Sequence, residues 1–132
     1  MASELRITTL ANLAATESVD TTYVINGSAK AWANLNATGI NALRDSFNVG
    51  SSTDHGIGDY TINFTNSMNN NDYSVSVNAG DSSKTYPRIC ACGNSGDTGF
   101  ATSSHGITCL RHDTNSVDDM EFVNSSVQGD LA

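Results

Sequence analysis

Charged side chains are scarce in this 132-residue chain, where Asp, Glu, Lys and Arg together make up 15% of the residues. Only 6 residues are Lys or Arg against 14 Asp or Glu, so the formal net charge is −8. An acidic protein repels phosphate backbones and anionic lipid headgroups. The charge balance therefore argues against nucleic acid or a membrane surface as the main partner.

Long hydrophobic runs are also missing. No stretch approaches the roughly 18 apolar residues of a membrane-spanning helix. The N-terminal segment MASELRITTLANLAATESVD lacks the basic region and apolar run of a secretory signal peptide. We therefore expect no membrane insertion, and we expect the chain to be made and folded in a cytoplasm.

Cysteine is rare, and the three residues, Cys90, Cys92 and Cys109, are an odd number that does not suggest a disulfide framework. Cys90 and Cys92 would point to the same side of a strand. Zinc sites, however, usually separate paired ligands by two to four residues rather than one. We favour cysteines that pack in a core, with a metal site or a disulfide as the alternative.

Ser, Thr, Asn and Gly are abundant and together supply 57 of the 132 residues. This composition favours short strands joined by many turns rather than a helical bundle. Apolar and polar residues alternate from about residue 22 onward, most clearly in DYTINFT at 59–65. Strands are predicted over 23–25, 29–34, 43–49, 59–65, 73–79, 85–92, 106–112 and 118–127, and loops over 50–58, 69–72 and 93–99.

Strands at this spacing without intervening helices predict an all-β fold, an antiparallel β-sandwich of jelly-roll-like type with a short N-terminal arm or helix. We divide the chain into an arm over 1–25 and a sandwich over 26–132. Ile7, Leu10 and Leu13 are spaced by three, which suits either a short helix or an extended arm that becomes ordered against a partner. The modest number of large apolar residues favours oligomerisation.

No pattern of catalytic or cofactor-binding residues emerges. His55, His105 and His112 are interpreted as loop or surface residues, because sequence neighbours do not define a catalytic triad and no G-x-S-x-G motif is present. The acidic residues around 54–59 and 113–121 suit a solvated face better than a calcium site. We therefore predict no catalytic residue, no metal and no cofactor.

Trp32 is the only tryptophan and lies among alanines. A buried tryptophan that closes one end of the sandwich is the favoured interpretation. The alternative is an exposed ring that stacks on a sugar or anchors a partner.

Three segments carry a recognisable pattern: GSAKAWANLNATG at 27–39, LRDSFNVGSSTDHGIGDYTINFTNSM at 43–68, and NNNDYSVSVNAG at 69–80. They resemble a module of tail-fibre and other virion structural proteins of tailed bacteriophages. The likeness covers about half of the chain and is most specific in its long middle block. Leu35 stands where that family tends to have Phe.

The same residues suit a folding signature. Asp54 and Asp59 can cap the turn-rich link from residue 51 to 58 by accepting from backbone N–H groups. The aromatic part of the core would then come from Trp32, Phe47, Tyr60 and Phe64.

The resemblance implies a β-rich virion domain that forms a homotrimer and has no enzymatic activity. In this hypothesis the protein is a short tail fibre or fibre-like appendage. The arm, through Ile7, Leu10 and Leu13, attaches it to a tail or capsid protein, and the distal surface binds host polysaccharide or protein. A capsid decoration protein is the alternative, and a polysaccharide-degrading enzyme is a third and weaker one. Receptor contact is predicted for loop residues Asn69, Asn70, Asn71, Ser82, Ser83, Asn94, Asp97, Ser103 and Ser104.

Overall fold

The structure is a computed structural model that describes residues 5–82, 85–93 and 99–132. The N-terminal part contains strands β1 (Thr9–Ala11) and β2 (Ser18–Asp20) and helix α1 (Thr21–Gly27). The following strands are β3 (Ala31–Asn36), β4 (Ala42–Phe47), β5 (Val49–Gly56), β6 (Asp59–Phe64), β7 (Ser74–Gly80), β8 (Arg88–Cys92), β9 (Ser104–Arg111) and β10 (Phe122–Gln128).

Strands β3 to β10 form two four-stranded antiparallel sheets. With the β1–β2 hairpin as sheet A, sheet B has the order β4-β3-β10-β7 and sheet C has the order β5-β6-β9-β8. The predicted all-β antiparallel sandwich with one short helix is thereby confirmed. The chain crosses between the sheets at the β4–β5, β6–β7, β7–β8 and β9–β10 connections.

The core lies between the two sheets and follows from the period-two alternation of the strands. In β3, Ala31, Ala33 and Leu35 are buried, while the residues between them face outward. Tyr60 and Ile62 of β6 pack against Ile107 of β9 and Val123 of β10. A second cluster closes one end of the sandwich, and its members are Ala31, Met68, Tyr73 and Val127.

The sandwich turns its first corner at Asn48, between β4 and β5. Asn48 has φ 54°, a left-handed conformation that Asn tolerates better than most residues. Its Nδ2 donates to the carbonyl of Lys30 at 3.1 Å and to that of Asn66 at 3.1 Å. Its Oδ1 accepts from the Asn66 backbone N–H at 2.8 Å. One side chain thus holds the corner to both of the segments beside it.

Two local predictions are wrong. Residues 23–25 lie in helix α1 rather than a strand, because the Asp20 carboxylate caps the helix by accepting from Thr22 N at 2.7 Å. Residues 50–58 include strand β5, which pairs with β6 through its backbone despite its polar side chains. Of the short helix and the extended arm that the spacing of Ile7, Leu10 and Leu13 left open, the structure has extended chain, since Leu10 lies in the β1–β2 hairpin.

The cysteine prediction is right about packing, since Cys109 lies in the core with Cys90 packed against it, but wrong about bonding. Cys90 and Cys109 face each other across β8 and β9 and form a disulfide, whereas Cys92 has a free thiol. Facing positions of an antiparallel pair place two side chains close enough to be bridged. The strand register was the missing information, since it alone places residues 90 and 109 opposite each other.

Two of the four expected core aromatics lie outside the core. Tyr60 is fully buried and Phe64 is partly buried, as predicted. Trp32 and Phe47 face outward from sheet B and are 37% and 53% exposed. Ala31 and Ala33, which flank Trp32, occupy the inward positions, so alternation forces the Trp32 ring to the outer face.

Candidate binding surfaces

The N-terminal arm, residues 5–28, is exposed along almost its whole length. Every residue in it except Thr21 is exposed, and helix α1 buries none of its side chains. Leu13 is fully exposed, and Leu10, Val24 and Ile25 are all more than 40% exposed. The three residues predicted for attachment, Ile7, Leu10 and Leu13, therefore all present apolar surface to solvent.

Strand polarity places the arm at one end of the sandwich. The chain enters β3 at Ala31, whose cross-strand partner is Val127 near the end of β10. The loop that follows β6, residues 65–73, lies at the same end, because Met68 bridges Leu131 just beyond β10. This end, with the cluster of Ala31, Met68, Tyr73 and Val127, is called the arm end below.

Most predicted receptor residues that the structure describes lie at the arm end. Asn69, Asn70 and Asn71 are exposed in the β6–β7 loop, and Ser103 is exposed just before β9. Ser104 is buried as the first residue of β9, so its side chain is not on the surface. Ser82 lies at the opposite end, after β7. Ser83, Asn94 and Asp97 fall outside the described residues.

The opposite end, called the far end, contains the β5–β6 turn, which belongs to the segment 43–68. Gly58 has φ +69°, and a Cβ there would lie 2.6 Å from the Cys109 carbonyl oxygen. Asp119 Oδ1 accepts from the Gly58 N–H at 2.9 Å and from the Tyr60 hydroxyl. The pKa of Tyr60 is raised, mainly because the hydroxyl is buried and secondly because it donates to the Asp119 carboxylate. The predicted cap is present at Asp54, which accepts from Gly56 N at 2.8 Å.

The other far-end carboxylates have partners within the fold. Asp118 pairs with Arg88 at 3.4 Å. Asp113 accepts from Arg111 at 2.8 Å, and this bond lowers the pKa of Asp113. Glu121 accepts from the Ser82 hydroxyl and from its backbone N–H at 3.0 Å, which lowers the pKa of Glu121.

The three histidines do not converge. His55 lies 2.9 Å from the Thr61 hydroxyl on the outer side of sheet C, and His112 is exposed after β9. The prediction of a loop or surface residue is wrong for His105, which is fully buried between the sheets beside Ser125. Within residues 5–82, 85–93 and 99–132, no three His, Cys, Asp or Glu side chains are grouped to hold a metal ion.

Of the outer face of sheet B the sequence analysis considered only Trp32, whose exposure was the alternative to a buried ring. Trp32 and Phe47 are directly opposed on β3 and β4. Two residues further along β3, Asn34 aligns with Asn124 of β10, which aligns with Asn78 of β7. Asn124 Nδ2 donates to Asn78 Oδ1 at 2.9 Å. The signal was the alternation A-W-A-N-L-N, which puts Trp and Asn on one face if the small residues face inward.

Together these observations define an all-β sandwich with an exposed apolar arm at one end and a face rich in aromatic and amide side chains on one sheet. No helix in the described part of the chain is both long and apolar enough to span a bilayer. Comparison with protein-family models, with curated proteins and with solved structures finds no match.

Proposed function

We propose that the chain is a structural protein of a bacteriophage virion, a short tail fibre or fibre-like appendage that attaches by its N-terminal arm. The sandwich then carries surfaces for host recognition, and three copies assemble into a homotrimer. The observation that carries the proposal is the exposed apolar arm at residues 5–28.

Simple energetics support a partner for this arm. An isolated two-stranded hairpin is marginally stable in water, and a helix of seven residues lies well below the length that is stable alone. Neither element buries an apolar face of its own. Burial of Leu10, Leu13 and Ile25 against another virion protein supplies the missing stabilisation, at about 1.5–3 kcal/mol per fully buried side chain.

The hairpin also offers a second mode of contact. Strands β1 and β2 pair only with each other among the described strands, so each leaves one backbone edge open. A partner strand can add to such an edge through main-chain hydrogen bonds. The attachment therefore combines apolar burial with strand addition.

The proposal is tested by substituting the arm in the full chain. The triple variant Leu10→Ser, Leu13→Ser, Ile25→Ser is compared with the control Ile40→Ser, Ile57→Ser, Ile89→Ser, which changes three exposed isoleucines outside the arm. Both sets are exposed, so the stability of the sandwich should change by only about 0.5 kcal/mol per site. We expect particles assembled with the arm variant to lack the protein and particles with the control to contain it.

Equal incorporation of both variants would contradict the proposal. Electron cryomicroscopy of particles with the control variant also locates the protein. Density at the tail or vertices supports a fibre, whereas density at repeated capsid lattice positions identifies a decoration protein. Light scattering on the purified chain tests the homotrimer.

A further inference from the structure

We propose that the outer face of sheet B binds neutral carbohydrate, with Trp32 and Phe47 as the stacking platform and Asn34, Asn78 and Asn124 as the hydrogen-bonding row. This inference rests on the proposed role in host recognition. It assigns the contact with the host receptor to the face of the sheet rather than to the loops.

The aromatic pair forms the first part of the site. Trp32 and Phe47 occupy facing positions on neighbouring strands, so their Cα atoms lie about 5 Å apart and both side chains leave the same face. Both are substantially exposed, although the fold buries other aromatics. Sugar rings present C–H faces, and these stack on exposed aromatic surfaces while their hydroxyls stay at the edges.

The amide row forms the second part. Asn34, Asn124 and Asn78 lie on three adjacent strands, about 7 Å along the strands from the aromatic pair. Each amide offers both donors and an acceptor, which matches hydroxyl groups that do both. The Asn34 Oδ1 has no hydrogen-bond partner among the described residues, although it is screened from solvent. Rotation of the amide would turn this acceptor towards a bound hydroxyl.

The charge of the face selects the ligand class. The outward residues of β3, β7 and β10 are uncharged: Trp32, Asn34, Asn36, Ser74, Ser76, Asn78, Gly80, Phe122, Asn124, Ser126 and Gln128. On β4, Asp45 lies opposite Asn34, and the Arg44 guanidinium lies 4.1 Å from the centre of the Phe122 ring. One carboxylate and one guanidinium leave the face without net charge, which suits a neutral glycan and offers little to a phosphate or sulfate group.

A second copy of the chain is a poorer occupant for this face. Homodimer interfaces are more apolar than the surrounding surface, whereas amide and hydroxyl groups dominate here. The four strands span about 14 Å across, which accommodates two or three sugar units. Several copies in one particle would raise a weak single-site affinity through avidity.

Trp32 is the only tryptophan, so its fluorescence reports on the site directly. The purified full chain is titrated with neutral oligosaccharides of hexoses and of N-acetylhexosamines, first chosen on a glycan array. We expect at least one to shift the Trp32 emission and to bind in isothermal calorimetry. Asn124→Ala should weaken that binding, and Trp32→Ala should weaken it by about tenfold or more.

Tyr86→Ala is the matched control, because Tyr86 is 53% exposed but lies outside this face. Asn70→Ala tests the loop originally predicted for receptor contact. Neither should change the affinity. No binding to any neutral glycan overturns the inference, as does binding that Trp32→Ala leaves intact. Trp32 emission that shifts on dilution into monomers also overturns it, because the face is then an interface between copies.

These outcomes do not depend on particle assembly. Failure of the glycan inference therefore leaves the arm experiment, and with it the proposed attachment, unaffected.

Discussion

His105 Nε2 and Ser125 Oγ lie 2.9 Å apart in the centre of the sandwich, so a hydrogen bond joins β9 of one sheet to β10 of the other. The other ring nitrogen, Nδ1, lies 3.3 Å from the Gly106 carbonyl, which can only accept. Nδ1 therefore carries the proton, and Nε2 accepts from the Ser125 hydroxyl. The neutral ring also packs near Phe64, with centroids 5.8 Å apart.

This arrangement predicts a loss of stability on mild acidification. Burial lowers the pKa of His105 below its ordinary 6.5. The unfolded chain therefore takes up a proton more readily than the folded one. The stability is complete above about pH 6.5 and falls as the pH drops from there towards the lower folded pKa, by at most about 1.4 kcal/mol per pH unit.

Urea unfolding at pH 7.5 and pH 5.5 measures this effect. This window lies above the titration of Asp113 and Glu121, whose pKa values are lowered from 3.8 and 4.5. His105→Gln keeps a polar side chain but cannot titrate. Its stability should depend less on pH than that of the original chain, and an unchanged pH dependence would show that another group is responsible.

Gly58 is predicted not to tolerate a side chain. In Gly58→Ala the new Cβ meets backbone atoms of Cys109 and Asp118, at 2.6 and 2.9 Å, which cannot move aside without shifting strands. Gly39→Ala is the control, because Gly39 has a similar φ of +72° with open space around it. We expect Gly39→Ala to lower the free energy of unfolding by about 1–2 kcal/mol, because only the left-handed backbone conformation disfavours alanine there.

Gly58→Ala should cost clearly more than Gly39→Ala in the same urea titration. Equal costs would mean that the packing against residues 109 and 118 is not as tight as described.

Asp119 is predicted to anchor the far end. Asp119→Ala leaves the Tyr60 hydroxyl and the Gly58 N–H without their acceptor, and each lost partner costs about 1–3 kcal/mol. Tyr60→Phe removes only one of the two bonds and should cost less. The exposed Asp72→Ala serves as a control. A double-mutant cycle between Asp119 and Tyr60 should show coupling of about 0.5–3 kcal/mol, and additive effects would contradict direct interaction.

The Cys90–Cys109 disulfide is predicted to contribute to stability. It spans a sequence separation of 19 residues, and closing a loop of this length contributes about 3 kcal/mol in the chain-entropy view. Alkylation of the unfolded, unreduced chain followed by mass spectrometry should find one free thiol, Cys92. Cys90→Ala should lower the free energy of unfolding more than Cys92→Ala, and three free thiols would contradict the bond.

Sequence reasoning succeeded where side chains alternate strongly. Tyr60, Ile62 and Phe64 define β6 on their own, and the valines at 75 and 77 define β7. It failed at β5, where Val49 is followed by polar residues and the strand is specified by backbone pairing with β6. Helix α1 was missed because one capping bond at Asp20 outweighs a short alternating pattern.

The two candidate surfaces also differ in whether the sequence could predict them. The apolar residues of the arm could be predicted, since Leu10 and Leu13 precede the alternating region and have no core to join. The shared face of Trp32 and Asn124 could not be predicted, because that requires knowing that β10, ninety residues later, pairs with β3. The disulfide could not be predicted for the same reason, because the pairing register of strands is set by the whole sandwich.

The corner at Asn48 has a mechanical consequence. Because β4 continues into β5 with a single residue between them, one sheet cannot shear past the other without straining covalent bonds. The Lys30 carbonyl, just after the arm, is held by the Asn48 side chain. Tension transmitted through the arm thus enters the sandwich beside a corner whose side chain bonds to the Lys30 carbonyl before β3 and to the Asn66 carbonyl after β6, so we expect both sheets to share the load.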